Sequence, residues 1–475
     1  MQKLVFLFIA FFCLSLVEAQ DTWTLSRCIE QARTQNIALQ RNAIAVENAT
    51  ILDRVNRLQQ LPSVNGTMSG GVQFGRTIDP TTDNFGTSSL GYGSLGVNAG
   101  IPVYTGGRIK HTIEQGKINV AVTQADLEAA AAEVSLNVAL AYLNILLATE
   151  ETTNAKNRLA LSKKQLERTN QLIAAGTLAE NNRLDILAQL AQDEQNVILT
   201  QNQLTLSYLS LQQLLQLDAQ TAFEIVRPEV ILPTEDLSQY NVAALYARAL
   251  ETQAQVAASD LRIKSSAYDI EIAQSAKRPS INLFGTLNSN YSTAAKAFED
   301  VQFETVIQET TVLFNGVETT LGLPTTQQVG DIPNKSLTNQ LMDNFGQSLG
   351  LNISIPIYNQ GRNNANIQQA ELGVRDAQLQ AAQVRQQLYQ DVQQSLVNVR
   401  AAKLSLQAAQ QAKDAAQAAF NNTEKRFEFG AANTFDYNTA RNSFDQATIN
   451  LLRAKYQYIF DTKVLDFYLG KPLSF

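Results

Sequence analysis

The chain has 475 residues, a formal charge of −7 and a pI near 5.1. That acidic balance excludes a nucleic-acid binder, which needs a basic face, and a single histidine, His111, gives a histidine-based metal site or catalytic triad nothing to build on. Gln, Asn, Ala and Leu are abundant while prolines number only 10, a composition that favours long helices.

Residues 1–19 read as a secretory signal peptide: Lys3, the apolar run "LVFLFIAFFCLSLV" at 4–17, then Val17-Glu18-Ala19 before Gln20. The apolar core is too short to span a bilayer. Cys13 follows Phe12, a poor site for lipid attachment, so cleavage leaves Cys28 as the only cysteine and no internal disulfide can form. Beyond the signal no run of eighteen apolar residues occurs. A membrane protein of this sequence must therefore span as a closed β-barrel, the other way to pair every backbone donor in lipid.

The first repeat is read as 20–225. Residues 25–60 read as helix, with Ile37, Ile44, Ile51 and Leu58 each seven apart along a coiled-coil seam. From Pro62 the texture turns to Gly, Ser, Thr and Asn. A strand pair spans 62–103, in which Leu95, Val97, Ala99 and Ile101 alternate with Ser94, Gly96, Asn98 and Gly100. One face is apolar and the other small and polar, as a strand between lipid and a watery lumen requires. A helical hairpin follows at 107–217; its first helix runs on the order of 100 Å at ~1.5 Å per residue. Gly176 breaks it at "AAGTLAENN", and the second helix carries Leu190, Val197, Leu204 and Leu211 as a seam.

"VRPEVILPTEDLSQY" at 226–240 carries two prolines and reads as a linker. The second repeat, 241–475, then starts again: helix 241–277, a strand pair within 279–357, and a helical hairpin at 361–469 turning at Gly430. "IPVYTGGR" at 101–108 returns as "IPIYNQGR" at 355–362, an offset of 355 − 101 = 254, while "PSVN" at 62–65 returns as "PSIN" at 279–282, an offset of 279 − 62 = 217. An internal duplication explains both. The difference, 254 − 217 = 37 residues, is an insertion between the strands of the second copy, placed at 293–340 and read as a long loop.

Four strands per chain cannot close a barrel with a lumen, since about eight is the smallest closed count in membranes. The helical hairpins likewise carry apolar stripes with too few partners. Copies of the chain must assemble, two giving eight strands and three giving twelve, into a tube that is β at one end and α at the other.

The residues that carry this architecture, above all "IPVYTGGR" and "IPIYNQGR" at the strand-to-helix junctions and "AAGTLAENNRLDILAQ" and "EFGAANTFDYNTAR" at the hairpin tips, resemble the TolC-like outer-membrane efflux proteins over essentially the whole mature chain. The resemblance implies a homotrimer: a 12-stranded β-barrel in the outer membrane of a Gram-negative bacterium, continued across the periplasm by a long α-helical coiled-coil barrel. It implies an exit duct serving an inner-membrane transporter, such as an RND or ABC pump, through a periplasmic adaptor (membrane fusion) protein that docks on the hairpin tips. Pro102 and Pro356 would end membrane strands at the periplasmic rim, with Gly107, Arg108, Gly361 and Arg362 starting the long helices.

The same resemblance implies an iris closed at the tips by acidic groups with an Arg and a Tyr. Carried over, Asp436 takes the place of the tip aspartate six residues beyond Gly430, and Phe427 that of the aromatic. Ala432 stands where the family has Arg, and in the first copy Asn182 stands where it has the acid, with Arg183 adjacent and Asp185 three residues on. Three copies of Asp436 and Asp185 would ring the aperture with carboxylates and favour cations; an exposed or helix-capping aspartate is the blander role for Asp436. Gly176, Thr177 and Leu178, with Gly430 and Ala431, form the tip turns and the adaptor-docking surface. "GYGSLG" at 91–96 matches a dinucleotide fingerprint, but it lies inside an alternating strand and opens no helix. Phe74, Tyr92, Tyr104, Tyr358 and Phe345 suit interfacial girdles or plain packing. No cofactor and no enzyme chemistry are expected. The competing reading is a soluble periplasmic or secreted coiled-coil structural protein, which leaves the apolar strand faces unexplained.

Overall fold

The computed structural model describes residues 22–75, 77–78, 85–86, 89–218, 223–228, 232, 240–297, 302–329 and 333–473. The signal-peptide segment 1–19 and most of the linker 226–240 lie outside the described residues. In chain order the elements are β1 (Thr22–Trp23), α1 (Leu25–Gln35), α2 (Ile37–Leu58), β2 (Ser63–Gln73), β3 (Thr77–Ile78), β4 (Phe85–Gly86), β5 (Leu90–Thr105), α3 (Arg108–Ala174), α4 (Asn181–Leu215) and β6 (Glu224–Ile225). They continue as α5 (Val242–Thr252), α6 (Ala254–Ser275), β7 (Ser280–Ser292), β8 (Gln302–Phe314), β9 (Val317–Val329), α7 (Leu337–Asp343), β10 (Gly346–Ser354), α8 (Arg362–Glu428) and α9 (Thr434–Tyr468).

The duplication is legible in the elements. Helices α3 and α8 are each 67 residues long, and α4 and α9 each 35. The single helices read at 25–60 and 241–277 are each broken in two, at Asn36 and Gln253, positions related by the same offset, 253 − 36 = 217. Each breaking side chain bonds the end of the hairpin in its own copy: Asn36 Nδ2 donates to the Leu214 carbonyl at 3.3 Å, and Gln253 Nε2 to the Phe467 carbonyl at 3.0 Å and the Tyr468 carbonyl at 3.4 Å. An amide side chain that reaches another helix's terminal carbonyls satisfies groups a helix leaves orphaned, and the backbone bends to let it reach.

The described residues fall into two units. The helical unit holds two cores, one centred on each repeat, and the first also takes Tyr456 and Ile459 from α9. In the first, Cys28 and Ala32 of α1 pack with Val138, Tyr142 and Ile145 of α3 and Leu211 of α4. In the second, Leu245 and Ala249 of α5 pack with Val392, Leu396 and Val399 of α8 and Leu465 of α9. Burial raises the Cys28 thiol to about 12 and pushes the Tyr142 hydroxyl upward. That hydroxyl donates to the Val226 carbonyl at 2.5 Å, beside the parallel pair β1 and β6. By length and composition α3 contains a stretch apolar enough to cross a membrane, and 44% of that stretch is buried within the protein. Leu190, Val197, Leu204 and Leu211 are buried or half-buried, whereas Ile37, Ile44, Ile51 and Leu58 remain more than half exposed in the protomer.

The sheet unit is a four-stranded antiparallel sheet in the order β10-β7-β5-β2, so β2 and β10 are its edges. Its register sorts the side chains cleanly. Met68, Leu95 and Ser289 share one face, followed by Gly66, Val97, Leu287 and Gln347, then Val64, Ala99, Gly285 and Leu349, then Ile101, Leu283 and Leu351. The other face carries Asn65, Asn98, Thr286 and Ser348, then Ser69, Ser94 and Asn290. Hydroxyls pair across it, Ser69 with Ser94 at 2.7 Å and Thr286 with Ser348 at 2.6 Å. "GYGSLG" lies within β5.

Two expectations are corrected. Pro102 does not end its strand: β5 continues to Thr105, and the register shifts between Pro102 and Tyr104 because proline cannot donate to the ladder. In the second copy β10 stops at Ser354, two residues before Pro356. The insertion at 293–340 is more than a loop. It holds the hairpin β8 and β9, turned at Asn315 and Gly316 with φ of 53° and 84°, and the short helix α7. Asn-Gly with both residues left-handed is the signature of a tight hairpin turn.

Candidate functional site

Both hairpins of the helical unit reverse in the same way. Gly176 (φ 74°) and Gly430 (φ 71°) take the left-handed conformation, and the next residue's N–H donates back five positions, Thr177 to the Leu172 carbonyl at 3.0 Å and Ala431 to the Arg426 carbonyl at 2.7 Å. This is the Schellman closure, which satisfies the last carbonyls of α3 and α8. Leu178 is half-buried.

The re-entering helices differ. In α9 the side chain of Asn433 caps the helix by accepting from the Asp436 N–H at 2.8 Å, so Asp436 stands exposed in the first turn, where a negative charge suits the helix dipole. In α4 Glu180 occupies the capping place without a capping bond and pairs instead with Arg183. The helix starts are 434 − 181 = 253 residues apart, one fewer than the offset ahead of the tips. Asp436 therefore matches Arg183 (436 − 253 = 183), and the matching of Asp436 to Asn182 is corrected: the second tip is one residue shorter. Asn182 instead bonds across the tips, its Oδ1 accepting from Thr434 Oγ1 at 2.8 Å. Asp185 is exposed one helical turn into α4 from Asn182. Phe427, half-buried, packs against Tyr437 with ring centroids 5.0 Å apart. Phe429 and Phe435 are 87% and 75% exposed, two aromatic side chains at the tip of the second hairpin.

The reading from sequence missed a charge cluster further into the hairpins. Arg441 of α9, 2% exposed, donates through Nη2 to Ser162 Oγ at 2.9 Å, to the Arg158 carbonyl at 3.0 Å and to Asp193 Oδ2 at 3.2 Å. Asp193 of α4, 1% exposed, also receives Arg158 Nη2 at 3.3 Å, Gln189 Nε2 at 3.2 Å and the Ser162 hydroxyl. Arg158 Nε lies 2.9 Å from Asp445 Oδ2, close but not aligned as a hydrogen bond. Two guanidinium groups balance two carboxylates, so the cluster is neutral overall. Burial raises the Asp445 carboxyl above its usual range against the opposing pull of Arg158 and Arg441. Through this cluster α9 is tied to α3 and α4 of the first repeat, while Tyr437 ties it to Phe420 and Phe427 of α8. No sequence signal marked it, since each of these residues reads as an ordinary charge on a helix surface.

At the strand-to-helix junctions of the sheet unit, the repeated motif has a backbone reason. Gly106 and Gly107 have φ of 67° and 96°, and Gln360 and Gly361 have 60° and 78°, two consecutive left-handed residues that swing a strand into a helix. A Cβ at Gly106 would meet the Ser275 carbonyl oxygen at 2.4 Å, so the first copy admits only glycine there. Arg278 Nη1 donates to the Gly106 carbonyl at 3.1 Å and Asn363 Nδ2 to the Ala276 carbonyl at 2.9 Å. Arg108 and Arg362 are exposed first residues of α3 and α8. His111, with Nε2 3.8 Å from Glu271, is partly buried near this turn. Among the described residues no group of three metal-ligating side chains gathers.

Known proteins align with this arrangement. The model of the outer membrane efflux protein family matches residues 28–216 and 245–471, one span in each repeat. The solved structure of CusC superposes with a TM-score of 0.74 at 17% identity, covering 96% of this chain and 93% of that one. The CmeC outer membrane channel of Campylobacter jejuni gives 0.72 at 17% identity, with 94% and 85% covered, and the outer membrane protein VceC of Vibrio cholerae 0.72 at 18%, with 95% and 97% covered. At these identities the likeness is one of fold. An uncharacterized protein of Haemophilus influenzae is 24% identical over 295 residues, a match spanning 59% of this chain and 60% of that relative.

Proposed function

The chain belongs to the outer membrane efflux protein family and is a protein of the outer membrane, and on that premise we propose that it forms a passive exit duct assembled from three copies. The observation that carries this reading is the sheet: four strands with one apolar and one polar face and two unpaired edges, β2 and β10. Exposed edges invite pairing with another chain, and closure of β2 of one copy on β10 of the next gives twelve strands around a polar lumen. The exposed row Ile37, Ile44, Ile51 and Leu58 supports the same assembly, since an apolar heptad row needs a partner helix.

The hairpin tips gate the duct at its periplasmic end. Asp436, exposed in the first turn of α9, and Asp185, exposed one turn into α4, ring the aperture, with Asn182, Arg183 and Phe427 holding the tips in register. Arg441 and its cluster keep α9 against the first hairpin, so the tips move as one body. Phe429 and Phe435 offer the apolar contact that a periplasmic adaptor would cover, and the adaptor links the duct to an inner-membrane pump.

The test is conductance of the detergent-purified oligomer in a planar bilayer, wild type beside the D436A/D185A variant. Small cation-selective currents that grow or lose selectivity in the variant are expected. Currents unchanged by the substitutions would place the gate elsewhere, and failure of properly folded oligomer to conduct would refute the duct.

A further inference from the structure

The helix α7, within the insertion of the second copy, lies on the wrong side of the sheet for a plug. Ser289 Oγ donates to the Leu341 carbonyl at 2.8 Å, and Ser289 shares its face with Leu95 and Met68. That is the apolar face. The helix is held firmly: Gln340, 2% exposed, accepts from the Ser292 N–H at 2.8 Å and donates to the carbonyls of Ser292 at 3.0 Å and Lys335 at 2.8 Å, and Asn344 Nδ2 donates to the Asn290 carbonyl at 2.8 Å.

A helix laid on a water-facing surface turns polar residues outward. This one turns large apolar residues outward as well, Leu337, Met342 and the following Phe345 being 54%, 77% and 56% exposed beside the exposed Thr338, Asn339 and Asp343. Between helix and strands runs a cleft of about 540 Å³ lined by Met68, Leu95, Val97, Leu287, Leu341 and Phe345. Water in such a cleft would find few hydrogen-bond partners. Leu95 lies five residues from the Leu90 end of β5 and ten from the Thr105 end that leads into α3, which puts the cleft in the half of β5 far from that junction. The ion pair of Lys335 with Asp343, and Lys296 Nζ on Asn334 Oδ1 at 2.7 Å, provide polar groups near the ends of α7, as a headgroup region would accept.

We propose that α7 is a lipid-embedded clamp on the outer wall of the barrel, and that its cleft holds one acyl chain of an outer-leaflet membrane lipid. The occupant follows from continuity: the cleft is an indentation of the same apolar face that the barrel turns to the bilayer, so hydrocarbon is what reaches it. The proposal goes beyond the duct reading but rests on the part of it that turns this face to lipid.

The test uses the full-length oligomer with its single tryptophan removed (W23F) and one introduced by F345W in the cleft or, as a control on the open apolar face of β10, by L351W. Each is reconstituted in phosphatidylcholine vesicles containing a rising fraction of dibrominated phosphatidylcholine, which quenches indole fluorescence on contact. Half-maximal quenching of F345W is expected at a brominated fraction about threefold below that of L351W. Adding G66L, whose side chain enters open space in the cleft, should abolish that difference. Unlabelled lipid A that reverses the quenching would identify lipid A as the source, and its failure to do so a glycerophospholipid; either supports the site. Equal quenching of both indoles would reduce the cleft to ordinary lipid contact and overturn the proposal. Quenching of L351W alone would put α7 outside the bilayer with the same effect, whereas quenching of neither would overturn the membrane face itself. As a measurement independent of the tryptophan variants, native mass spectrometry should find one lipid retained per protomer in the wild type and none in G66L; no retained lipid in the wild type would also overturn the proposal.

Discussion

Replacing Arg441 with methionine removes a cation while keeping most of the side-chain volume. Its partner Asp193 is 1% exposed and would keep only Arg158 Nη2 at 3.3 Å, Gln189 and the Ser162 hydroxyl. Breaking a buried pair from one side typically costs about 3–5 kcal/mol. The remaining partners of Asp193 are good, and Asp445 was poorly aligned to Arg441 at 3.7 Å from the outset, so the lower end, ~3 kcal/mol, applies. For a helical unit of roughly 300 residues with an unfolding entropy of ~2.1 cal/mol/K per residue, that is a fall of about 5 °C in Tm. The assay is the loss of helical signal on heating detergent-solubilised oligomer at fixed protein concentration, which matters because assembly makes Tm concentration-dependent. The double variant R441M/D193N should recover part of the loss, with a coupling of about 1–3 kcal/mol. A Tm within 1 °C of wild type for R441M, or strict additivity in the double variant, would refute the view that this cluster fastens α9 to the first hairpin.

Asp445 has a folded-state pKa raised by burial, so its contribution to stability is fully present below the unfolded pKa near 3.8 and is lost as pH rises through the raised folded value. The wild type should therefore gain Tm relative to D445N as pH falls from 7 toward 4, and a flat difference would remove that role. Glycine replacements separate backbone strain from steric conflict: G176A and G430A, both at positive φ in open space, should each cost about 1 kcal/mol. G106A adds a clash with the Ser275 carbonyl to the same strain and should lower the yield of heat-sensitive oligomer where the tip variants do not.

The periodicities of the chain carried over well into the fold because they reflect local rules. Alternation at Leu95, Val97, Ala99 and Ile101 marks a strand whatever surrounds it, and the β5 register bears it out. Gly176 and Gly430 were legible as helix ends because a left-handed residue is needed there. The hairpin of β8 and β9 could have been read from Asn315-Gly316 between alternating strands; its polar surroundings masked the signal. The breaks at Asn36 and Gln253 could not, since an amide side chain leaves the helix only because Leu214 or Phe467 offers it a carbonyl from a distant part of the chain.

By itself, the sequence determined the duplication, the long helical hairpins, the paired strands of the four-stranded sheet and the two tip turns, all of them consequences of chain stereochemistry and of apolar residues repeating at fixed spacing. Which charges are buried together was decided only by tertiary structure. Arg158, Asp193 and Arg441 look like ordinary surface residues along a helix. They become a neutral cluster because α3, α4 and α9 converge there, and a charge can be withdrawn from water only where opposite charges and hydrogen-bond partners meet it. The one-residue offset between the tips, which matches Asp436 to Arg183 rather than to Asn182, belongs to the same class, because it follows from where each helix begins and not from the spacing of the repeated motifs.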